Sequence, residues 1–265
     1  MKTNRRACLA GLSGLALLSG CQVLQILEGE TNAAVDMVSA PFKNVTVMSF
    51  NVRAGLGQDG VRDIARAAAV IKEAGADVVA LQEIDRGTRR SGGVDQLAEL
   101  ERLTGMHGSW CKTIDYDDGE YGIAILSRAE PLKTKCVGLP GSGEKRMLLV
   151  AEFSDYSLGC THLPLEEEDR LACVPVLRAL VGGERPFVLA GDWNDELRSP
   201  FVREMRQSYS IVSGFEPTYP ADAPAKCIDF IAVSRRHRAR FEHVTHRVLP
   251  EGVVSDHRPV FVKLR

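Results

Sequence analysis

Polar side chains of the kinds that bind metals and take part in hydrolysis recur in this chain directly after short apolar segments. Where such a segment is a buried strand, its last residues lie at one edge of a sheet, where groups from neighbouring strands meet. Taken singly, most of these residues are equally well explained as turn residues, caps or a buried histidine. Their joint occurrence favours a common site. The series consists of Asn51, Glu83, His162, Asp192, Asn194, Asp229, Asp256 and His257.

The oxygen donors in this series suit a hard divalent cation. Mg²⁺ prefers oxygen ligands and keeps several of its waters, so that few protein carboxylates suffice to hold it. The sequence does not indicate a zinc site, because its Cys and His residues do not show the spacing of structural or catalytic zinc sites.

The segments that carry these residues alternate between strand and helix patterns. The first, residues 45–52, has apolar side chains on both faces, as in a strand covered on both sides. A helix follows, with Val61, Ile64, Ala68 and Ile71 on one face and Gly75 as its C-cap. Further strands are predicted at 77–82, 107–114, 122–126, 132–139, 147–153, 157–162, 187–190, 228–233, 241–248 and 259–264, with helices at 94–103 and 165–181.

The order of these elements predicts the fold class. Helices lie towards both ends of the chain, and the middle is rich in strands. This arrangement is typical of an α/β sandwich, in which two packed sheets are covered by helices on the outside. With 265 residues, 45% of them hydrophobic, the chain is long enough for one sizeable domain.

The first twenty residues have the pattern of an export signal. Lys2, Arg5 and Arg6 precede an apolar run at 7–18, which is too short to span a bilayer comfortably. The run ends in Leu-Ser-Gly-Cys, which resembles the lipobox of bacterial lipoproteins, with Cys21 as the lipidated residue. The expected organisation is a signal peptide at 1–20, a lipidated N-terminus and tether at 21–43, and a single domain at 44–265. An uncleaved anchor and an ordinary secretory signal are the alternatives.

Charge and cysteine content limit the remaining possibilities. The formal net charge of −2 excludes a generally polybasic protein, although short basic clusters occur at 86–90 and 235–240. Cleavage after residue 20 would remove three basic residues and no acidic one. Five cysteines remain after Cys8 and Cys21; their number is odd and their spacing irregular, so most are expected to be small buried hydrophobic residues.

Seven short motifs, in this order along the chain, resemble those of the endonuclease/exonuclease/phosphatase superfamily. They are MSFNVRAG, LQEIDR, YGIAILSR, CTHLP, LAGDWND, IDFIAVS and SDHRPV, spread over residues 48–260. The resemblance implies a DNase I-like four-layer α/β sandwich, with two packed mixed or antiparallel sheets flanked by helices. It also implies hydrolysis of phosphate esters with Mg²⁺ or Mn²⁺ as cofactor.

The resemblance also implies roles for individual residues. The metal would be bound by Glu83, with Asn51 and Asp256 close to it. The remaining roles are as follows: Asp192 orients or deprotonates the attacking water, Asn194 holds a phosphoryl oxygen, His257 contacts the phosphate or acts as base, Asp229 holds that imidazole, and His162 stabilises or protonates the leaving oxygen. A cation and positioned donors would stabilise the charge that develops on the phosphate.

One position departs from the family pattern. Many members have Asn, which helps to hold the phosphate, where Ile123 stands. Arginines are the expected replacement, with Arg86 and Arg146 as the phosphate- or substrate-binding residues and Arg89 and Arg90 as further candidates. The segment at 86–90 is as well explained by a solvated loop.

The sequence therefore predicts a monomeric bacterial lipoprotein on the periplasmic or cell-surface face of a membrane. The expected partner is a phosphate ester, small or lipid-borne in preference to duplex DNA. An extracytoplasmic nuclease of the same superfamily is the alternative enzyme. A non-catalytic lipoprotein that binds phosphorylated ligands is the alternative of another class, and a scaffolding lipoprotein a third.

Overall fold

The computed structural model describes residues 44–242 and 244–265. The predicted signal peptide at 1–20, the lipidated Cys21 and the tether at 21–43 therefore lie outside the described residues. Within the described part of the chain, no helix combines the length and apolar character needed to cross a bilayer.

Twelve strands in the described residues form two six-stranded sheets. Sheet 1 has the order β11-β12-β1-β2-β4-β3 and sheet 2 the order β5-β6-β7-β8-β10-β9. The strands of sheet 1 are β1 (Val45–Asn51), β2 (Val78–Arg86), β3 (His107–Tyr116), β4 (Gly119–Ser127), β11 (Val244–Val248) and β12 (Val260–Leu264). Those of sheet 2 are β5 (Lys133–Leu139), β6 (Arg146–Glu152), β7 (Ser157–His162), β8 (Phe187–Asp192), β9 (Tyr209–Ile211) and β10 (Asp229–Ser234).

Helices cover the outer face of each sheet. Helices α1 (Ile64–Ala74) and α2 (Gln96–Thr104) lie on sheet 1, and α3 (Glu167–Ala179) and α4 (Pro200–Met205) lie on sheet 2. The bounds of α1 follow from its caps: Asp63 accepts a hydrogen bond from the Ala65 N–H, and Gly75 takes the left-handed conformation that ends the helix. Short 3₁₀ turns occur at Arg53–Gly55, Arg89–Ser91, Leu180–Gly182 and Arg235–Arg240.

Three apolar layers hold the sandwich together. One lies between the sheets, one under α1 and α2, and one under α3 and α4. The burial of both faces of β1 agrees with its apolar sequence on both sides. The prediction of a four-layer α/β sandwich with two mixed sheets is confirmed.

The element boundaries differ from prediction in several places. Val61 precedes α1 and is 51% exposed, because the helix begins only after the Asp63 cap. Strand β2 continues to Arg86 through a register shift between Leu81 and Ile84, which an alternation pattern does not reveal. The pattern also gave no signal for the short β9 and α4.

A disulfide joins the two sheets. Cys111 in β3 and Cys136 in β5 are bonded, with 5.9 Å between their Cα atoms. The expectation that most cysteines are small buried hydrophobic residues is wrong for this pair, since Cys136 is exposed and bonded. It holds for Cys160 and Cys173, which are free and buried.

Strand direction decides which residues meet. Strands β1 and β2 run parallel, β7 and β8 run parallel, and β10 runs antiparallel to β8. The last residues of β1, β7 and β8 and the first residue of β10 therefore gather at one end of the sandwich, which we call the site end. The opposite end, where β1 begins and β10 finishes, is called the far end; six strand residues, or ~20 Å, separate the two.

Candidate active site

Asp192, the last residue of β8, lies at the centre of the polar cluster. It accepts hydrogen bonds from the Asn51 side-chain amide (3.2 Å) and from the Asn194 N–H (2.8 Å). Its Oδ2 atom lies 3.5 Å from Nε2 of His162 and 3.7 Å from Nε2 of His257. Burial and the nearby Asp229 raise the pKa of Asp192 to about 7, despite the opposing effect of His257.

His257 is held by a chain of hydrogen bonds on its other nitrogen. Its Nδ1 donates to Oδ2 of Asp229 (2.9 Å), and the same oxygen accepts a hydrogen bond from the Thr218 hydroxyl (2.6 Å). Burial alone would lower the pKa of His257, but Asp229, with Asp192 and Asp256, outweighs it and raises the pKa to about 10. The imidazole is therefore cationic at neutral pH, with Nε2 directed towards Asp192.

Glu83 provides a carboxylate that no cationic side chain of the described residues contacts directly. It lies in the irregular part of β2 with a left-handed φ of 61°, an unusual conformation that is typical of functional sites. Its Oε1 accepts a hydrogen bond from Asn51 (3.0 Å). Burial raises the pKa of Glu83, the Asn51 hydrogen bond opposes this, and the nearby Asp256 raises it further.

The donor set fits a divalent cation on chemical grounds. Glu83, Asn51 and Asp256 supply oxygen-bearing side chains, and a cation beside Glu83 would offset the burial of its charge. Asp192, Asp229 and His257 also offer ligand atoms within 4.8 Å of one another. In that second group Nδ1 of His257 and Oδ2 of Asp229 already bind each other, whereas Oδ1 of Asp229 is buried and has no hydrogen-bond partner among the described residues.

His162 and Asn194 complete the cluster. His162 is buried, and burial, with Arg146 and His257 adding to it, lowers its pKa well below the usual value. It is therefore a neutral imidazole that can donate one hydrogen bond. Asn194 has a left-handed φ of 50°, and its amide donates to the Leu163 carbonyl (2.9 Å).

The structure places the predicted arginines differently from one another. Arg146 is 7% exposed at the start of β6 and pairs with Glu144 at 3.3 Å. Its Nε has no hydrogen-bond partner among the described residues, and its charge acts on His162. Arg86, in contrast, is bound to Asp95 (2.8 Å) and lies over the Trp110 ring, and is not brought into the cluster. The neighbouring arginines are also paired: Arg90 with Asp85, and Arg89 with Asp117 and Asp118.

A sequence model of the endonuclease/exonuclease/phosphatase family matches residues 48–257, which include every residue of this cluster. The chain belongs to this family of phosphoric ester hydrolases. The match covers most of the described domain and spans both sheets, so the family assignment does not depend on a single motif.

Solved structures of the family share the fold. A Beutenbergia cavernae family member is 24% identical over 84% of this chain and 72% of its own, with a TM-score of 0.67. A Bacteroides thetaiotaomicron mannosyl-6-phosphatase is 19% identical over 83% and 99%, also with a TM-score of 0.67. Truncated Caenorhabditis elegans TDP2 is 18% identical over 83% and 97%, with a TM-score of 0.62. At these identities the likeness shows the shared fold.

Against the family pattern, Ile123 is a structural residue. It is 2% exposed and packs in the apolar layer between the sheets. The position where many members have a phosphate-binding amide is therefore part of the core in this chain.

Several residues of the site were missed by sequence reasoning. Thr218 binds Asp229, Ser255 donates to the Asn51 carbonyl (2.7 Å), and the Tyr219 ring lies 4.9 Å from that of His257. Arg53 pairs with Asp256 at 3.3 Å. Thr218 and Tyr219 stand between Pro217 and Pro220 in an irregular segment, so no periodic pattern pointed to them. Ser255 adjoins Asp256 and His257, and that proximity was the one available signal.

Proposed function

We propose that this protein hydrolyses phosphate esters with Mg²⁺ or Mn²⁺ as cofactor. The supporting observation is the arrangement of Asp192 between two imidazoles, with the Asn51–Glu83 pair beside it. The cluster combines a carboxylate with a pKa near neutrality, a cationic imidazole and a carboxylate suited to a metal. These are the groups that transfer of a phosphoryl group to water requires.

Each side chain has a distinct task in this proposal. Asp192 accepts the proton of the attacking water, because its pKa of about 7 allows it to do so at neutral pH. His257, held by Asp229, binds a phosphoryl oxygen through Nε2, and Arg146 supplies a second cationic donor. His162 donates to the leaving oxygen and Asn194 orients the phosphate. When bound, the cation polarises the phosphoryl oxygens.

The proposed substrate is a small or lipid-borne phosphate ester in preference to duplex DNA. A duplex needs several unpaired basic side chains along its path. At the site end Arg86, Arg89 and Arg90 are paired with aspartates, and exposed acidic residues lie close to the site residues in sequence. These are Glu144, Glu166, Glu167, Glu168 and Glu196. The similar mannosyl-6-phosphatase supports a small substrate.

A substrate panel tests the proposal. Purified full-length protein is assayed with sugar phosphates, a chromogenic phosphodiester, phospholipid vesicles, RNA and plasmid DNA, in Mg²⁺, in Mn²⁺ and after chelation. We expect metal-dependent turnover of a small or lipid-borne ester, which Asp192→Ala abolishes. Efficient plasmid nicking at nanomolar protein, lost in Asp192→Ala, would establish the nuclease instead. Binding of phosphorylated ligands without turnover of any substrate would establish the non-catalytic alternative.

We further propose that the protein is an exported, monomeric bacterial lipoprotein anchored through Cys21. Two acyl chains on this residue would be sufficient for stable membrane attachment. The disulfide between Cys111 and Cys136 supports export, because such bonds persist in oxidising compartments.

A further inference from the structure

Five arginines form a cluster at the far end of the sandwich, which we call the basic patch. It consists of Arg185, Arg206, Arg235, Arg236 and Arg238. The 3₁₀ turn after β10 supplies three of them, and hydrogen bonds connect that turn to its surroundings. Arg235 donates to the Arg206 carbonyl (3.0 Å) and Arg236 to the Gly182 carbonyl (3.0 Å). Arg185 follows Gly182 closely and donates to the Phe153 carbonyl (3.1 Å).

The guanidinium groups of the basic patch are not neutralised. None of the five forms an ion pair within 4.0 Å with a carboxylate of the described residues, and Arg185, Arg206, Arg235 and Arg236 are exposed. Glu184 and Glu242 are the acidic residues next to it in sequence. Arg185, Arg235, Arg236 and Arg238 each donate to a carbonyl. Such a bond uses one of the five donors of a guanidinium, so the remaining donors and the charge are available to an anionic surface.

The position of the basic patch relative to the N-terminus adds a second observation. Strand β1 packs across β8 and β10 of the other sheet, and it begins at the far end, where β10 leads into the 3₁₀ turn. Residues 1–43, with the apolar run at 7–18 and Cys21, are therefore joined to the domain at the end that carries the basic patch.

We infer that the basic patch docks on the anionic phospholipid headgroups of the membrane to which residues 1–43 lead. The charge is complementary, and residues 1–43 join the domain at this end. The inference rests on the proposed membrane anchor and does not depend on the proposed hydrolysis. Nucleic acid is a less suitable occupant, because a duplex bound at the far end would have no path to the site.

Docking through the far end fixes the direction in which the site faces. Asn51 lies six residues along β1 from the start of that strand, so the site end stands ~20 Å further from the leaflet than the basic patch. The cluster around Asp192 then opens towards the aqueous phase. Of the proposed substrate classes, soluble phosphate esters are the one that this orientation favours.

Vesicle binding tests the docking surface without the acyl chains. Full-length protein carrying Cys21→Ser is compared with the same chain carrying Arg235→Glu and Arg236→Glu, on phosphatidylcholine vesicles with and without phosphatidylglycerol. Each basic residue near an anionic surface contributes about fivefold in affinity, so the double reversal should weaken binding to anionic vesicles about 25-fold or more. Lys72→Glu with Lys135→Glu is the control, because both lysines are exposed outside the basic patch and give the same change in charge.

A second measurement reports orientation in the unaltered full-length protein. Phenylglyoxal modifies accessible arginines, and mass spectrometry locates them. On anionic vesicles we expect Arg235 and Arg236 to be protected, while the exposed Arg198 at the site end reacts as in solution.

Four results would overturn the inference. Two concern vesicle affinity: equal losses of affinity in the reversed and control variants, and binding that does not depend on phosphatidylglycerol. The third is the same extent of Arg235 modification by phenylglyoxal on vesicles with and without phosphatidylglycerol. The fourth is tighter binding of the protein to duplex DNA than to anionic vesicles. If the double reversal reduces thermal stability, Arg235→Gln with Arg236→Gln replaces it; that pair should weaken anionic-vesicle binding less than the reversal but more than the control. The hydrolysis rate on a soluble ester should stay unchanged, because the patch and the site lie at opposite ends.

Discussion

Asp192 is held in surroundings that oppose its negative charge. It is 1% exposed and near Asp229, and these two factors raise its pKa to about 7 although His257 and two hydrogen bonds act against them. The protein therefore retains at its centre a carboxylate whose ionisation is disfavoured relative to that in water, a compromise between stability and function that active sites commonly show.

Replacing the Asp192 carboxylate by an amide should abolish activity and raise the unfolding free energy. In the wild-type protein the raised pKa gives a contribution to stability that is complete below the unfolded-state pKa, near 4, and is lost as the pH rises through about 7. Asp192→Asn does not ionise, so without metal its unfolding free energy should exceed that of the wild type at pH 8. One pKa unit corresponds to about 1.4 kcal/mol. Denaturant unfolding from pH 4 to pH 8 measures the difference; a difference independent of pH would contradict the assignment.

His257 and Asp229 should act as one unit. Because Asp229 holds the imidazole through Nδ1, removal of either residue disables the same function. His257→Ala, Asp229→Ala and the double variant should therefore lose similar factors in kcat, since residues that act together are not additive. Losses that multiply in the double variant would show that the two residues act independently.

Glu83 should be needed for metal binding more than for folding. Its contact is a hydrogen bond from Asn51, and a bound cation should raise the thermal unfolding temperature by mass action. In Glu83→Gln we expect the metal-induced shift to be lost and activity to fall at least about 100-fold, with a metal-free unfolding temperature close to that of the wild type. Glu99→Gln, on the outer helix α2, is the matched control and should keep the shift.

At the scale of elements, the bond between Cys111 and Cys136 joins an edge region of each sheet. The two residues are separated by 25 positions, a loop for which cross-linking stabilises a fold by about 3 kcal/mol. Reductant, or Cys111→Ala with Cys136→Ala, should lower the unfolding free energy by about this amount. Cys227→Ala should have little effect. If reductant also lowered the unfolding free energy of the double alanine variant, the effect of reductant would not come from this bond.

The strands that carry the site were predictable from sequence, and the connections between them were not. Asp192 and His162 end apolar runs whose strand character is clear, so their meeting at one edge followed from pattern alone. Helix α1 was extended to Val61 because apolar spacing continued past its real start. The pairing of Arg86 with Asp95 depends on how a loop folds back, and periodicity carries no information about that.

At the scale of the whole molecule, charge is divided between two ends. Exposed glutamates lie close in sequence to the site residues, whereas the arginines of the far end form no ion pair with a described carboxylate. The net charge of −2 conceals this separation. The net charge of the chain therefore did not predict the basic patch. The basic cluster at 235–240 showed where most of the patch lies along the sequence, but not how far it lies from the active site.

The N-terminal cysteine should determine where the domain is found. Cys21→Ser removes the acceptor for lipid, so the exported protein should move from the detergent phase to the aqueous phase, or remain attached only through an uncleaved signal. Phase partitioning with analysis of the mature N-terminus distinguishes these outcomes. Unchanged partitioning of correctly processed variant protein would exclude lipidation at this position.

Strand β1 lies between β2 and β12, and Ser255 donates to the carbonyl of Asn51 across 204 positions of sequence. The first strand of the domain thus completes its pairing only with the last one. During synthesis β1 can complete its pairing only after β12 has been made, and His257 is made just before that strand. Long-range closure of this kind is slow relative to local folding. A growing chain that has not yet reached this segment therefore has no assembled catalytic centre.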